Sequence, residues 1–149
     1  MNKIAIVTGA GTGVGKATAV KLSDAGFSVI LIGRRKDKLE ETKAVCNDQA
    51  RVFPMDVSNE VDVNKCFEMI KKNFSRIDVL FNNAGTFLSS KTIDEINFSE
   101  WKEVIEVNIN GMFLFSKHAF SLMKTQSPMG GRIINNGSVS SVTPRPGSI

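Results

Sequence analysis

Short runs of apolar residues, rich in Ile and Val, alternate along the chain with longer stretches in which apolar residues recur at helical spacing. The strand-length runs span residues 4–7, 28–32, 50–53, 77–81 and 132–135. The helical stretches span residues 14–25, 37–47, 60–74 and 99–124, and residues 138–149 have the Pro and Gly content of a loop. This alternation is typical of parallel strands joined by crossover helices. We therefore predict an α/β fold built on a doubly wound parallel sheet.

Composition places the chain among globular proteins. With 149 residues, 42% hydrophobic and 23% charged, it has the size of one ordinary domain, so we predict a single domain over residues 1–149. No apolar run reaches the roughly 20 residues of a membrane span. The apolar stretch at the N-terminus is too short for a signal peptide, so we expect a cytoplasmic protein without a membrane partner.

Charge and cysteine content change this picture little. The net charge of +4 comes from Lys and Arg residues interleaved with Asp and Glu, which favours a solvated surface over a nucleic-acid site. Cys46 and Cys66 lie in helical stretches with neither CxxC spacing nor a companion His. We therefore predict buried or half-buried thiols and no metal site.

A glycine-rich turn follows the first strand and leads into the first helix. Glycines allow a tight turn and close approach to a pyrophosphate, and the helix N-terminus supplies N–H donors and a positive dipole end. The spacing of Gly9, Gly13 and Gly15 differs from the common Gly-x-Gly-x-x-Gly fingerprint. It also differs from the nucleotide-triphosphatase loop, since Ala17 follows Lys16. We predict a dinucleotide site whose residues in this turn are Gly9, Thr12, Gly13, Val14 and Gly15.

The end of the second strand indicates which dinucleotide is bound. An acidic residue that binds the adenosine ribose is expected here, but the sequence reads Gly33-Arg34-Arg35. A guanidinium can pair with a 2′-phosphate through charge-assisted hydrogen bonds, whereas a carboxylate would repel it. We therefore predict NADP as the cofactor in preference to NAD. The alternative is that Arg34 and Arg35 only open a solvated helix.

Two motifs together indicate a family. The turn Thr8-Gly9-Ala10-Gly11-Thr12-Gly13-Val14-Gly15 and the later Asn82-Asn83-Ala84-Gly85 resemble those of the short-chain dehydrogenase/reductase family, in its single-domain branch. The resemblance continues through Asp56-Val57, Asn108 and the segment of residues 131–138, and so covers the whole chain. It implies a Rossmann-like sheet, here truncated after about five strands, and hydride transfer between NADP(H) and a small-molecule alcohol or ketone.

The resemblance implies roles for two further groups of cofactor-binding residues. Asp56 and Val57 would hold the adenine ring, and Asn83, Ala84 and Gly85 would line the cofactor and steady the central strand. Locally, an Asp after a strand could equally cap the next helix, and Asn-Asn-Ala-Gly could be only a turn.

Two residues are candidates for catalysis. Asn108 lies in a stretch whose buried face we predict from Val104, Ile105, Ile109, Met112 and Phe113. By resemblance it distorts the helix and holds a water of a proton relay, although it could also be a hydrogen-bonded core residue. Ser138 lies at the carboxyl end of the fifth strand, where ligands bind in such sheets. By resemblance its hydroxyl would hold the substrate oxygen.

Neighbouring side chains offer weaker candidates. Ser140 and Ser141 compete with Ser138, although spacing favours Ser138. His118 is better explained as a residue that packs or faces solvent than as a catalytic one, and we assign it no role.

One element of the family pattern is absent. The resemblance implies a Tyr-x-x-x-Lys proton donor, but the chain contains no Tyr, and the Tyr would fall just beyond Ile149. We therefore expect the chain to be a fragment that is inactive alone, from a parent oxidoreductase that assembles as a homo-oligomer through residues 101–124. The alternative is a non-catalytic dinucleotide-binding or regulatory isoform.

Overall fold

The computed structural model describes residues 3–88 and 91–143. Its strands are β1 (Ile4–Thr8), β2 (Ser28–Gly33), β3 (Arg51–Pro54), β4 (Val79–Asn82) and β5 (Arg132–Asn135). Its α-helices are α1 (Gly13–Asp24), α2 (Lys36–Lys43), α3 (Glu60–Phe74), α4 (Phe98–Ile105) and α5 (Met112–Met123). A π-helical turn, Glu106–Gly111, joins α4 to α5, and 3-10 turns cover Ile93–Glu95 and Val139–Ser141. The part of the predicted loop at residues 144–149 lies outside the described residues.

The five strands form one parallel sheet in the order β3-β2-β1-β4-β5. The chain moves outward from β1 to β3 and then crosses to β4 on the other side of β1. Such a reversal opens a crevice at the carboxyl ends of the two central strands. The predicted doubly wound parallel sheet is confirmed.

Apolar residues cover both faces of the sheet because successive side chains point to opposite sides. Ile6, Ile30 and Leu80 pack with Phe67 of α3 and Phe115 of α5. On the other face, residues of β1, β2 and β4 pack with residues of α1 and α2. This cluster includes Val7, Val29, Leu31, Phe81, Ala19 and Leu39. Helices therefore cover both faces of the sheet around β1, and the crevice lies at the carboxyl ends of these covered strands.

The long helix predicted over residues 99–124 is wrong in detail. The π turn at Glu106–Gly111 interrupts it, and each extra residue in such a turn rotates the following helix relative to a uniform helical pattern. The predicted buried face fails for this reason: Ile109 and Phe113 are 49% and 61% exposed. The helix α5 instead buries Leu114, Phe115, Ala119 and Met123.

Smaller boundaries also differ. Helix α2 ends at Lys43 rather than at residue 47, so half-buried Cys46 lies beyond it, whereas buried Cys66 lies within α3. Helix α3 is capped by the side chain of Asn59, which accepts a hydrogen bond from the Asp62 N–H at 3.2 Å.

Candidate dinucleotide-binding site

A groove crosses the carboxyl ends of the strands. One part lies over the glycine turn and the end of β2, and the other lies between the end of β4, the π turn and Ser138. The two parts share Val57, Asn83, Ala84 and Gly85 as lining residues. They therefore form one continuous surface from the basic end of β2 to Ser138.

The glycine turn is shaped by close backbone approach. Gly9 has a φ of 65° and Gly13 a φ of 54°, a left-handed region that favours glycine. A Cβ on Gly15 would lie 2.2 Å from the Gly9 carbonyl oxygen and 2.6 Å from Asn83 Nδ2. Glycine at this position therefore lets the start of α1 pack directly on the turn.

The start of α1 has the chemistry of an anion site. Thr12, which precedes the helix, makes no side-chain capping bond, and the first turn contains no acidic residue. The first backbone N–H groups of a helix lack partners within the helix, and they carry the positive end of its dipole. This arrangement fits a pyrophosphate group.

Hydrogen bonds from neighbouring elements hold the turn in place. Thr42 Oγ1 of α2 donates to the Ala10 carbonyl at 3.0 Å, and the Ala10 N–H donates to the Ile32 carbonyl at 3.0 Å. Thr8 Oγ1 accepts from the N–H groups of Asn83 and Ala84, both at 2.9 Å. The turn and the Asn83–Gly85 segment are thus fixed to each other through β1.

Three cationic side chains line the β2 end of the groove: Arg34, Arg35 and Lys38. Arg35 Nη2 donates to Thr12 Oγ1 at 3.5 Å, and Lys38 Nζ forms a 2.6 Å ion pair with Glu41. Sequence reasoning identified the two arginines but missed Lys38. The signal was available, since Lys38 follows Arg34 and Arg35 by three to four residues, the distance of about one helical turn.

Asp56 lines the same part of the groove. Its Oδ1 accepts bonds from the Ser58 N–H at 3.0 Å and the Ser58 hydroxyl at 2.7 Å. Partial burial raises the pKa of Asp56, but these two bonds and the charge of Arg34 outweigh it and hold the pKa below its ordinary value. Asp56 is therefore a fixed carboxylate in a local turn, and it does not cap α3.

Val57 and the π turn meet closely. Val57 is 5% exposed, and a Cβ on Gly111 would lie 2.7 Å from Val57 Cγ2. Glycine at position 111 thus allows the π turn to approach the wall of the groove at Val57.

Asn108 lies in the π turn and holds the segment after Gly85. Its Oδ1 accepts from the Thr86 N–H at 2.8 Å, and its Nδ2 donates to the Thr86 carbonyl at 2.9 Å. The helix is distorted at this residue, as the resemblance implies, and the amide also has a structural role because its oxygen and its nitrogen both bond Thr86. Its part in a proton relay stays a prediction.

Ser138 and Asn108 line the same part of the groove. Ser138 is exposed, and its Oγ accepts from the Ser140 N–H at 3.1 Å. Ser141 Oγ donates instead to the Ser138 carbonyl at 2.7 Å. The Ser138 hydroxyl can still donate its own proton into the groove.

His118 lies outside this groove. Its ring stacks on Phe67 at 5.0 Å between α3 and α5, and burial, with the charge of Lys117, lowers its pKa. The catalytic and binding roles of the groove residues stay predictions, but the groove brings together the predicted set apart from Gly13, Val14 and Gly15, which form the start of α1 beside it.

A family model described as short chain dehydrogenase matches residues 3–149. The chain belongs to the short chain dehydrogenase family. It is 40% identical over 140 residues to an uncharacterised oxidoreductase of Staphylococcus aureus strain MRSA252, covering 93% of this chain and 59% of the relative. A similar oxidoreductase of Staphylococcus epidermidis is 37% identical over 142 residues, covering 95% of this chain and 60% of the relative. This short chain dehydrogenase thus spans about three fifths of the length of these relatives.

Solved structures show the same fold. A short chain dehydrogenase from Bacillus anthracis strain Ames Ancestor matches with a TM-score of 0.89 and 32% identity, over 98% of this chain and 61% of that one. A 3-ketoacyl-(acyl-carrier-protein) reductase from Brucella melitensis, solved in complex with NADH, matches with a TM-score of 0.93 and 28% identity over the same shares.

Two further findings concern residues 3–88 and 91–143 of this short chain dehydrogenase. No helix there is long and apolar enough to cross a membrane. Within the same ranges, no group of three or more His, Cys, Asp or Glu side chains could hold a metal ion.

Proposed function

We propose that the protein to which this chain belongs binds NADP(H) and transfers hydride between it and an alcohol or ketone. The observation that carries the proposal is the continuous groove from Arg34 and Arg35, past the glycine turn, to Ser138. When bound, the nicotinamide would supply or accept the hydride. Family membership and relatives named as oxidoreductases support the same conclusion.

The chain's own residues divide the binding task along the groove. The N–H groups of Gly13, Val14 and Gly15 and the backbone of Gly9 and Thr12 would hold the pyrophosphate. Asp56 and Val57 would hold the adenine, and Asn83, Ala84 and Gly85 would line the nicotinamide side. A site built on backbone N–H groups suits an anion because those donors cannot be neutralised by a change of pH.

Arg34 and Arg35 would select NADP through the 2′-phosphate. Both are exposed at the mouth of the groove, and Arg35 is already directed across it toward Thr12. An arginine pairs with a phosphate through two parallel N–H bonds, an arrangement that NADH, with a plain 2′-hydroxyl, cannot use.

Ser138 and Asn108 would act at the reacting end. The Ser138 hydroxyl would donate to the substrate oxygen, orienting it and stabilising charge that develops there. Asn108 would position the Thr86 segment and, with it, the wall of the groove.

Titration of NADPH and NADH into the protein tests the cofactor proposal. NADPH should bind more tightly, and the paired change Arg34→Ala and Arg35→Ala should weaken NADPH binding about tenfold or more while leaving NADH unchanged. Lys36→Ala removes a neighbouring exposed charge that does not line the groove and serves as the control. Equal affinity for both dinucleotides would refute NADP selection, and binding of neither would refute the proposed function. Consumption of NADPH only when a ketone is added would test the reaction itself.

A second candidate function applies to this chain taken alone. It contains no Tyr, the proton donor that the family resemblance implies, and a missing general acid lowers rates by on the order of a hundred- to ten-thousand-fold. We propose that these residues by themselves bind dinucleotide without turnover.

Assembly is a further part of the proposal. Exposed apolar side chains follow the outer side of α4, the π turn and α5: Trp101, Ile109, Phe113 and Phe120. Exposed apolar patches of this kind mark protein–protein contacts. They support a homo-oligomer of the whole protein formed through these helices.

A further inference from the structure

We propose that Asn136 is a positioning residue that couples the glycine turn to the segment carrying Ser138. Its side-chain amide is bonded to Asn83, and Asn83 is bonded to the turn. The inference rests on the proposed function, because it assigns Asn136 a part in dinucleotide binding by this groove.

Both ends of the Asn83 amide are engaged. Its Nδ2 donates to the Thr8 carbonyl at 3.1 Å and to the Gly9 carbonyl at 3.5 Å. Its Oδ1 accepts from Asn136 Nδ2 at 3.0 Å. One side chain thus joins the ends of β1 and β5 across β4.

The Asn83 amide lies directly against the dinucleotide-binding turn. A Cβ on Gly15 would lie 2.6 Å from Asn83 Nδ2, and a Cβ on Gly9 would lie 2.9 Å from it. The amide thus occupies the space beside both glycines, in close approach to the turn and to the start of α1. Because the same amide donates to the Thr8 and Gly9 carbonyls, we expect a bond that orients it to steady the turn as well.

The other end of the link leads to the catalytic candidate. Asn136 continues the pairing of β5, its N–H donating to the Asn82 carbonyl at 2.9 Å. Gly137 follows, where a Cβ would meet nothing within 4 Å, and then comes exposed Ser138. Because side-chain packing does not hold this open segment, the Asn136 amide has a large share in setting where it lies.

The neighbouring Asn135 provides a matched control, because its side chain accepts a hydrogen bond where that of Asn136 donates one. Asn135 Oδ1 accepts a bond from Asn82 Nδ2 at 2.9 Å, whereas Asn136 donates. Asn135→Asp keeps the acceptor, and Asn136→Asp replaces the donor with a carboxylate oxygen facing Asn83 Oδ1. Both residues line the same part of the groove, and both changes add one negative charge at the same strand end, so a difference between them reports on the bond.

The first experiment is titration of NADPH and NADH into the whole protein and into both variants at pH 8. Asn136→Asp should weaken both dinucleotides about tenfold, the effect of roughly one lost hydrogen bond with an unpaired partner. The weakening should be equal for NADPH and NADH, since the link acts on the turn and not on the 2′-phosphate. Asn135→Asp should stay within about twofold of wild type.

A pH profile separates this role from a general loss of structure. Protonation turns the new carboxyl of Asn136→Asp into a hydrogen-bond donor, so its affinity should recover toward wild type as the pH is lowered. Asn135→Asp should show no such recovery. If Asn136→Asp does not fold, Asn136→Ala tests the same bond without the charge.

Hydrogen exchange tests the coupling in the other direction. Because coupling between two sites is reciprocal, bound NADPH should slow amide exchange over residues 136–141. It should do so in wild type and Asn135→Asp, but not in Asn136→Asp.

The outcomes are distinguishable. If wild type binds neither dinucleotide, both the proposed function and this inference are refuted. If wild type binds but Asn136→Asp and Asn135→Asp behave alike, whether both are weakened or both unaffected, the inference alone is overturned. Selective weakening by Asn136→Asp, with the pH recovery and the lost exchange protection, supports it.

Discussion

Individual charged residues in the groove are held to different degrees. Asp56 accepts two bonds from Ser58, so its carboxylate is fixed and its pKa lies below the ordinary value. Lys38 pairs with Glu41 at 2.6 Å, yet its side chain is 35% exposed and lines the groove beside the arginines. The Glu41 bond raises the pKa of Lys38, so the amine is a permanent cation that a phosphate could share.

Lys38 gives a prediction at this scale. Lys38→Gln should weaken NADPH binding about threefold and leave NADH unchanged, a small effect because partly exposed charges are screened by water. Lys43 is its matched control: it also pairs with an acidic residue of α2, Glu40 at 4.0 Å, but does not line the groove. Calorimetric titration of both variants measures the effect. Equal behaviour of Lys38→Gln and Lys43→Gln would remove Lys38 from the site.

At the scale of elements, the join between β1 and α1 depends on one close approach. Gly15→Ala would place a methyl group against the Gly9 carbonyl, an atom of the backbone that cannot move aside without shifting the turn. Such overpacking destabilises by about 1–3 kcal/mol, and binding of both dinucleotides should weaken as the turn opens. Urea unfolding measures the first effect, and titration the second.

Gly137→Ala is the control for this prediction. A Cβ there meets nothing within 4 Å, so the free energy of unfolding should change by less than about 0.5 kcal/mol. A Gly15→Ala protein as stable as Gly137→Ala would contradict the close approach.

The elements also show what the sequence could predict. Residues 60–74 and 132–135 were predicted with the observed bounds, since one has a clear helical period and the other is a short apolar run. Hydrophobic spacing alone could not predict the π turn, because the turn breaks the helical period by a local insertion; only the family resemblance indicated a distortion at Asn108. Ile109 and Phe113 were assigned to the core on the assumption of an unbroken helix, and both are exposed.

The site residues also divide into those that the sequence could identify and those that only the folded structure reveals. The glycine turn and the Arg34-Arg35 pair carry their chemistry in consecutive residues, so they could be singled out from sequence. Asn136 could not, since its importance depends on a distance to Asn83 that arises only when separate elements pack together. Lys38 was missed although its spacing from the arginines offered a signal.

At the scale of the whole molecule, the carboxyl ends and the amino ends of the strands differ in structure. The carboxyl ends of the strands form the open groove, and the opposite end is tied by side chains. Asp78 accepts bonds from the Ile4 N–H at 2.8 Å and from Arg76. Gln126 bonds to both the N–H and the carbonyl of Ile77, each at 2.8 Å. These ties hold β1, β4 and the approach to β5 in register, so the strand ends that form the groove share one rigid base.

The hydrogen bonds and the ion pair of Asp78 make the free energy of unfolding depend on pH in the acid range. Partial burial raises the pKa of Asp78, but the bonds from Arg76 and the Ile4 N–H and the charges of Arg76 and Lys3 outweigh it, so the pKa is lowered. A lowered pKa gives stability that is fully present above the unfolded value of about 3.9 and is lost as the pH falls through the folded value.

Asp78→Asn tests this dependence, with Asp24→Asn as its control. The side chain of Asp78 is 16% exposed, so replacing it should lower the free energy of unfolding at pH 7 by about 2 kcal/mol. Asp24 forms a 3.6 Å pair with Lys21 at 59% exposure, and its replacement should change stability by less than about 0.5 kcal/mol. Urea unfolding from pH 7 to pH 3 should show the difference between wild type and Asp78→Asn shrinking toward acid, because wild type loses the same interaction on protonation. A difference that stays constant with pH would mean that the Asp78 charge does not stabilise the fold.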